Sequence, residues 1–102
     1  MVKVTIFYPN SPGARFDMNY YTTSHMPMVQ KKVSTCKGIA AEKGLAGGAP
    51  GSAPTYIAIG HLLFDSVEAF QTAFAPHASE ILADVPNYTN TQPVIQINEI
   101  TL

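Results

Sequence analysis

The chain predicts an α+β fold of the ferredoxin-like type, with elements ordered β-α-β-β-α-β, a four-stranded antiparallel sheet and two helices on one of its faces. Three observations carry this. Apolar residues alternate with a period of two near both ends and in the middle of the chain. Two stretches between them carry apolar residues at helical spacing. No repeat, charge block or second boundary interrupts the 102 residues, so 1–102 reads as a single domain.

Strand one is Val2, Val4, Ile6 and Tyr8 alternating with Lys3, Thr5 and Phe7, and Pro9-Asn-Ser-Pro-Gly13 ends it. Helix one follows, with Asp17 as its N-cap and Phe16 as the hydrophobic anchor before it, running to about Val33. On its wheel Met18, Tyr21, His25, Met28 and Val29 share one face, opposite Tyr20, Thr23 and Gln30. Pro27 removes the hydrogen bond to the Thr23 carbonyl and should bend the helix two residues beyond His25, leaving a free acceptor nearby. Cys36 to Leu45 is a weaker strand, and the Gly- and Pro-rich segment 46–54 reads as a loose hairpin connection. Thr55 to Phe64 is the strongest strand, apolar on both faces, with Ile57, Ile59, His61 and Leu63 on one side and Tyr56, Leu62 and Phe64 on the other. Asp65 or Ser66 caps helix two, Glu68 completes a capping box with Asp65, and Val67, Phe70 and Phe74 form the buried stripe. Pro76 breaks that helix, a further short helix reaches Asp84, Pro86-Asn-Tyr-Thr-Asn90 turns, and Pro93 to Ile100 is the last strand.

Two helices cover only one sheet face, so apolar side chains of the third strand would be left on the free face, where burial is worth about 1.5 to 3 kcal/mol each. Charged residues make up 13% of the chain, against about 25% in ordinary domains. Both facts favour a face covered by a second copy, that is, a homodimer. A net charge of −1, with Lys31-Lys32 as the adjacent basic pair, offers no footprint for nucleic acid or an anionic membrane. No apolar run nears the ~18 residues of a spanning helix. One cysteine, Cys36, excludes an intrachain disulfide. With the N-terminal residues running straight into a strand, these features predict a soluble, unprocessed, cytoplasmic protein.

Four segments, Val4-Thr-Ile-Phe-Tyr-Pro-Asn10, Gly13-Ala-Arg-Phe-Asp-Met-Asn-Tyr-Tyr-Thr-Thr-Ser-His-Met-Pro27, Phe64-Asp-Ser-Val-Glu-Ala-Phe70 and Asp84-Val-Pro-Asn-Tyr-Thr89, together resemble the EthD family. The resemblance spans nearly the whole chain. It implies a dimeric α/β barrel with a small-molecule cavity between sheet and helices in each subunit. Relatives in that superfamily include cofactor-free monooxygenases, polyketide cyclases, lactone isomerases and haem proteins. What carries over from the family motif is His25, with Tyr21 one turn earlier.

The imidazole on an apolar stripe is itself a candidate for chemistry, because it titrates near neutrality and burial can tune it. His25 is read as the general acid/base and Tyr21 as its assistant. Met28, His61, Tyr56, Phe74, Asn87 and Tyr88 are the candidate substrate-binding residues. Each has a plainer alternative: His25 bonding a backbone carbonyl, Tyr21 and Phe74 as core packing, His61 at a sheet-to-sheet interface, and Asp84 to Tyr88 as a turn. Asp17 with Arg15 beside it reads as a cap, and His77 as a surface residue. The three histidines lie on different elements without metal-ligand spacing, so no metal is expected. Gly44-Leu-Ala-Gly-Gly lacks the strand-to-helix context of a phosphate loop, so no nucleotide or flavin cofactor is expected either. The predicted function is an oxidoreductase or an isomerase/cyclase acting, with His25 as acid/base, on a small hydrophobic or aromatic oxygenated compound of a catabolic or polyketide-type pathway. The alternatives are a non-catalytic small-molecule binding or accessory protein and a haem-binding protein.

Overall fold

The computed structural model describes all of residues 1–102 and has the expected element order. Strand β1 is Val2–Pro9, β2 Gly38–Lys43, β3 Tyr56–Phe64 and β4 Val94–Glu99. They form one antiparallel sheet in the order β2-β3-β1-β4. Helix α1 covers residues 18–32, α2 is Val67–Phe74 and α3 is Ala78–Ala83. A 3-10 turn at Ala75–His77 joins α2 to α3, and a second at Val85–Asn87 follows α3. No helix is long and apolar enough to cross a membrane.

Register sets the two faces of the sheet. Val2, Val4, Ile6 and Tyr8 of β1 lie opposite Phe64, Leu62, Gly60 and Ala58 of β3, and these residues make the buried floor under the helices. Lys3, Thr5 and Phe7 lie opposite Leu63, His61 and Ile59 on the uncovered face. His61 therefore shares its face with Ile59 and Leu63, as period-two alternation predicts.

Helix α1 departs from regular pitch where the chemistry sits. Asp17 caps it by accepting from the Tyr20 amide at 3.0 Å. One α turn at Met18–Tyr20 then gives way to a π segment at Tyr21–His25, and α geometry resumes at Met26–Lys32. The Met26 amide reaches back five residues to the Tyr21 carbonyl, the i→i+5 bond that defines a π turn. Pro27 opens the segment that follows, where its missing N–H costs least. The extra residue rotates everything after it, so Met26, not Met28, joins Tyr21, His25 and Val29 in the core. Met28 is only half-buried.

Helix α2 is capped by Ser66, whose hydroxyl accepts from the Ala69 amide at 3.1 Å. Glu68 thus sits one residue short of the capping-box position, and Asp65 instead lies 3.7 Å from Lys37. Val67, expected to be buried, falls in the exposed first turn of the helix, while Phe70 packs on Phe64 at a ring separation of 5.2 Å.

Candidate functional site

Three elements converge over the β1 end of the covered face. Strand β1 contributes Tyr8, helix α1 contributes Tyr20, Tyr21 and His25, and the segment after α3 contributes Asp84, Asn87 and Tyr88. That last segment is strapped to the start of α1. The Tyr88 carbonyl accepts from the Asp17 amide at 2.7 Å, and the Thr89 hydroxyl donates to the Arg15 carbonyl at 2.7 Å. Phe16 bridges to Thr89 in the same place. Asp84 ends α3, and Pro86 sits in the 3-10 turn that brings Tyr88 back under α1.

Hydrogen bonds among these side chains run in one direction. Asp84 accepts three of them, from the Tyr20 hydroxyl at 2.7 Å, Asn87 Nδ2 at 2.9 Å and His25 Nδ1 at 2.8 Å. A carboxylate can only accept, so Nδ1 carries the proton and Nε2 of the neutral ring is an acceptor. The Tyr88 hydroxyl, 3.3 Å from Nε2, therefore donates to it, and the Tyr8 hydroxyl, 2.8 Å from that of Tyr88, donates in turn. Tyr21 stacks on the His25 ring with an interplanar angle of 13° and is fully buried. Its hydroxyl makes no hydrogen bond, although the Tyr8 hydroxyl is near enough to perturb it. The phenol tip fits because β3 has Gly60 beneath it: a Cβ at that position would collide with the Tyr21 hydroxyl oxygen.

Burial dominates the protonation of this cluster. It pushes the His25 imidazolium below its ordinary range, with the bond to Asp84 opposing it only in part. For Asp84 burial acts upward, but the bonds from Tyr20, Asn87 and His25 together hold the carboxyl below its ordinary value. The phenols of Tyr8, Tyr21 and Tyr88 are all pushed well up, chiefly by burial. At neutral pH the set is a carboxylate, a neutral imidazole and neutral phenols.

A cavity of about 40 Å³ opens beside this cluster, and fourteen of its sixteen lining residues are hydrophobic. Tyr8, Tyr21, His25 and Tyr88 supply its polar tips, while Val4, Ile6, Leu62, Phe74 and Ile95 are among its apolar walls. At ~10–15 Å³ per water this is space for a few water molecules. His25 has both ring nitrogens engaged, and His61 is bonded to Glu42 at 2.9 Å. The cavity beside His25 has no room for a haem macrocycle. No three His, Cys, Asp or Glu side chains are grouped to hold a metal ion.

The EthD domain model matches residues 14–92, a span containing α1, α2, α3 and every residue of the cluster except Tyr8. The chain belongs to the EthD family. An uncharacterised 11.0 kDa protein encoded in the thcB–thcC intergenic region of Rhodococcus erythropolis is 36% identical over 93 residues, covering 88% of this chain and 85% of the relative. The crystal structure of an EthD-like protein from Ralstonia eutropha JMP134 is 45% identical, covers 99% of this chain and 92% of its own, and superposes with a TM-score of 0.94. An EthD family protein from Bacillus halodurans C-125, at 15% identity with 99% of each chain covered, superposes with a TM-score of 0.67 and shares the fold.

Within this EthD domain the residues singled out from sequence scatter. His25, Tyr21, Phe74 and Tyr88 line the cavity. Asn87 is exposed and touches the cluster only through Asp84. Met28 does not line the cavity; Met26 takes that place. Tyr56 lies against Phe7 at 4.9 Å, and His61 faces the open side of the sheet, where its Nδ1 is 3.4 Å from the Thr5 hydroxyl. His77 sits at the surface, 4.0 Å from Glu80. Three members of the cluster were not singled out: Asp84, read as part of a turn; Tyr8, read as strand core; and Tyr20, placed on the outer side of a regular helix. The available signal was the family segment Asp84 to Thr89, which opens on an acidic residue.

Proposed function

We propose that this EthD protein is a proton-transfer enzyme, an isomerase/cyclase or cofactor-independent oxidoreductase, for a small hydrophobic or aromatic oxygenated compound. His25 acts as the general acid/base, Asp84 orients it and Tyr21 donates to a ligand oxygen. One observation carries the reading: a neutral imidazole, fixed by a carboxylate at 2.8 Å, lines an otherwise apolar cavity. Asp84 sets the tautomer and would stabilise the imidazolium formed when Nε2 takes a proton, the same division of labour as in hydrolytic triads. The apolar walls favour an uncharged ligand.

A second reading, a binding or accessory protein, is favoured by the engagement of both His25 ring nitrogens within the protein, which leaves no free base facing the cavity. The experiment is to incubate the purified protein under air with a panel of small aromatic, lactone and ether compounds and to analyse each by mass spectrometry. Conversion that is lost in His25→Ala supports the enzyme. Binding of an unchanged compound, with affinity retained in that variant, supports the carrier.

The assembly would be a homodimer packed through the open sheet face, where Phe7, Ile59 and Leu63 remain only half-buried in the single chain and Val94 is exposed. Light scattering after size exclusion tests it, with Ile59→Lys expected to give monomers. A free Cys36 and the absence of any disulfide are compatible with a cytoplasmic location.

A further inference from the structure

The geometry points to Tyr88, and not the imidazole, as the group that exchanges a proton with the ligand, with His25 behind it as the proton store and the Tyr21 hydroxyl as donor to the oxygen on which charge develops. This rests on the acid/base reading of His25. Three observations support it. Nε2 is not bare, because the Tyr88 hydroxyl stands 3.3 Å from it. The direction of the chain is fixed at its far end by Asp84, so every O–H in it points toward His25. And of the four polar tips lining the cavity, Tyr21 alone has a hydroxyl with no partner of its own, a buried donor whose desolvation is uncompensated until an acceptor arrives.

Tyr88 has the valence for the task. Its oxygen accepts from Tyr8 with one lone pair, leaving the second for a proton from the ligand. In the step, a C–H bond next to a carbonyl, or a phenolic O–H, breaks; its proton forms a bond to the Tyr88 oxygen while the Tyr88 proton passes to His25 Nε2. The electron pair stays on the ligand as an enolate or phenolate, whose oxygen accepts from Tyr21, and the imidazolium sits against the Asp84 carboxylate. Reversal at a neighbouring carbon returns the proton and completes an isomerisation without oxidant or reductant. Because burial raises all three phenols, no free phenolate intervenes and the two proton movements are concerted. The substrate class is an enolisable carbonyl compound with an apolar body.

Two measurements test this. Long-range proton–nitrogen NMR of the wild-type protein should show His25 as the Nδ1–H tautomer, and Tyr88→Phe should shift the Nε2 resonance and raise the His25 titration midpoint, because it removes a donor to the neutral ring. An Nε2–H tautomer, or an unmoved Nε2 resonance and midpoint in Tyr88→Phe, overturns the proposal. Exchange of α-protons for deuterium in acetone, cyclopentanone and acetophenone then reads the chemistry. Wild type is expected to catalyse exchange, Tyr88→Phe and His25→Gln each to lose about 100-fold, and Tyr21→Phe to lose at least about 10-fold. Exchange surviving in Tyr88→Phe but abolished in His25→Gln would mean that the imidazole meets the ligand directly: the acid/base reading stands and this inference falls. No exchange by the wild type overturns both.

Discussion

Two histidines each pair with a carboxylate at nearly the same distance, His25 with Asp84 at 2.8 Å and His61 with Glu42 at 2.9 Å. They lie on opposite faces of one sheet. Beneath the helices, Asp84 is four-fifths buried and spends its lone pairs on three donors. On the open face Glu42 is mostly in water, and His61 is its one side-chain donor. Desolvation magnifies the first pair and solvent screens the second. The lesson is that an ion-pair distance says little until the surroundings of both partners are known.

The largest break in that contrast is expected from Asp84→Ala. It strands a buried His25 Nδ1–H and leaves the Tyr20 and Asn87 donors without their acceptor, at a cost of about 2–3 kcal/mol in urea unfolding. A cost below about 0.5 kcal/mol would mean that the network holds nothing together. Gly60→Ala comes next, since its Cβ would drive the Tyr21 ring off its seat. About 1–3 kcal/mol of destabilisation is expected, and it should be relieved in combination with Tyr21→Phe, which removes the colliding oxygen. Acid should sharpen the comparison further. A depressed His25 means that the unfolded chain binds the proton first, so stability is whole above the ordinary imidazole range and falls as pH drops from there through the lowered folded value. Asp84, also depressed, adds a second loss of the same sign below the ordinary carboxylate range. Thermal melts from pH 8 to 3 should show both, and His25→Gln should remove the upper one. The smallest effect is expected at Glu42→Gln, under about 1 kcal/mol and smaller still with added salt. A larger cost measured at dimer-forming concentrations would place that pair inside an interface.

Much of the scaffold was legible because it follows local rules. Alternation in Val2 to Tyr8 and in Ile57 to Phe64 set both sheet faces, although Tyr56, expected beside Leu62 and Phe64, packs on Phe7 past a shift of register. The side chain of Asp17 announced a helix start, and Pro27 announced a disturbance near His25. The disturbance proved to be an added residue in the turn rather than a simple bend, and so Met26 takes the place expected of Met28, while Tyr21, His25 and Val29 stand on the predicted face. The site was legible only in part. His25 and Tyr21 stand on one stripe and could be paired from spacing, but Asp84 lies 59 residues further on and meets His25 only because the turn after α3 folds back on the start of α1. Tyr20 escaped for a related reason, since a long phenol on the flank of a helix can reach a neighbour that a helical wheel does not show.

The π segment has a consequence for how this chain can change. Thr22, Thr23 and Ser24 are exposed, so their identities should be freely exchangeable. Their number has one step of freedom. Deleting one of them would return the helix to regular pitch with Met26 four residues and Val29 seven after Tyr21, still on the core side, so what shifts is the seating of His25 against Asp84 and not the core. Laboratory drift in this stretch should therefore accumulate spelling changes and tolerate the loss of one residue in the fold, at the expense of the His25 pair.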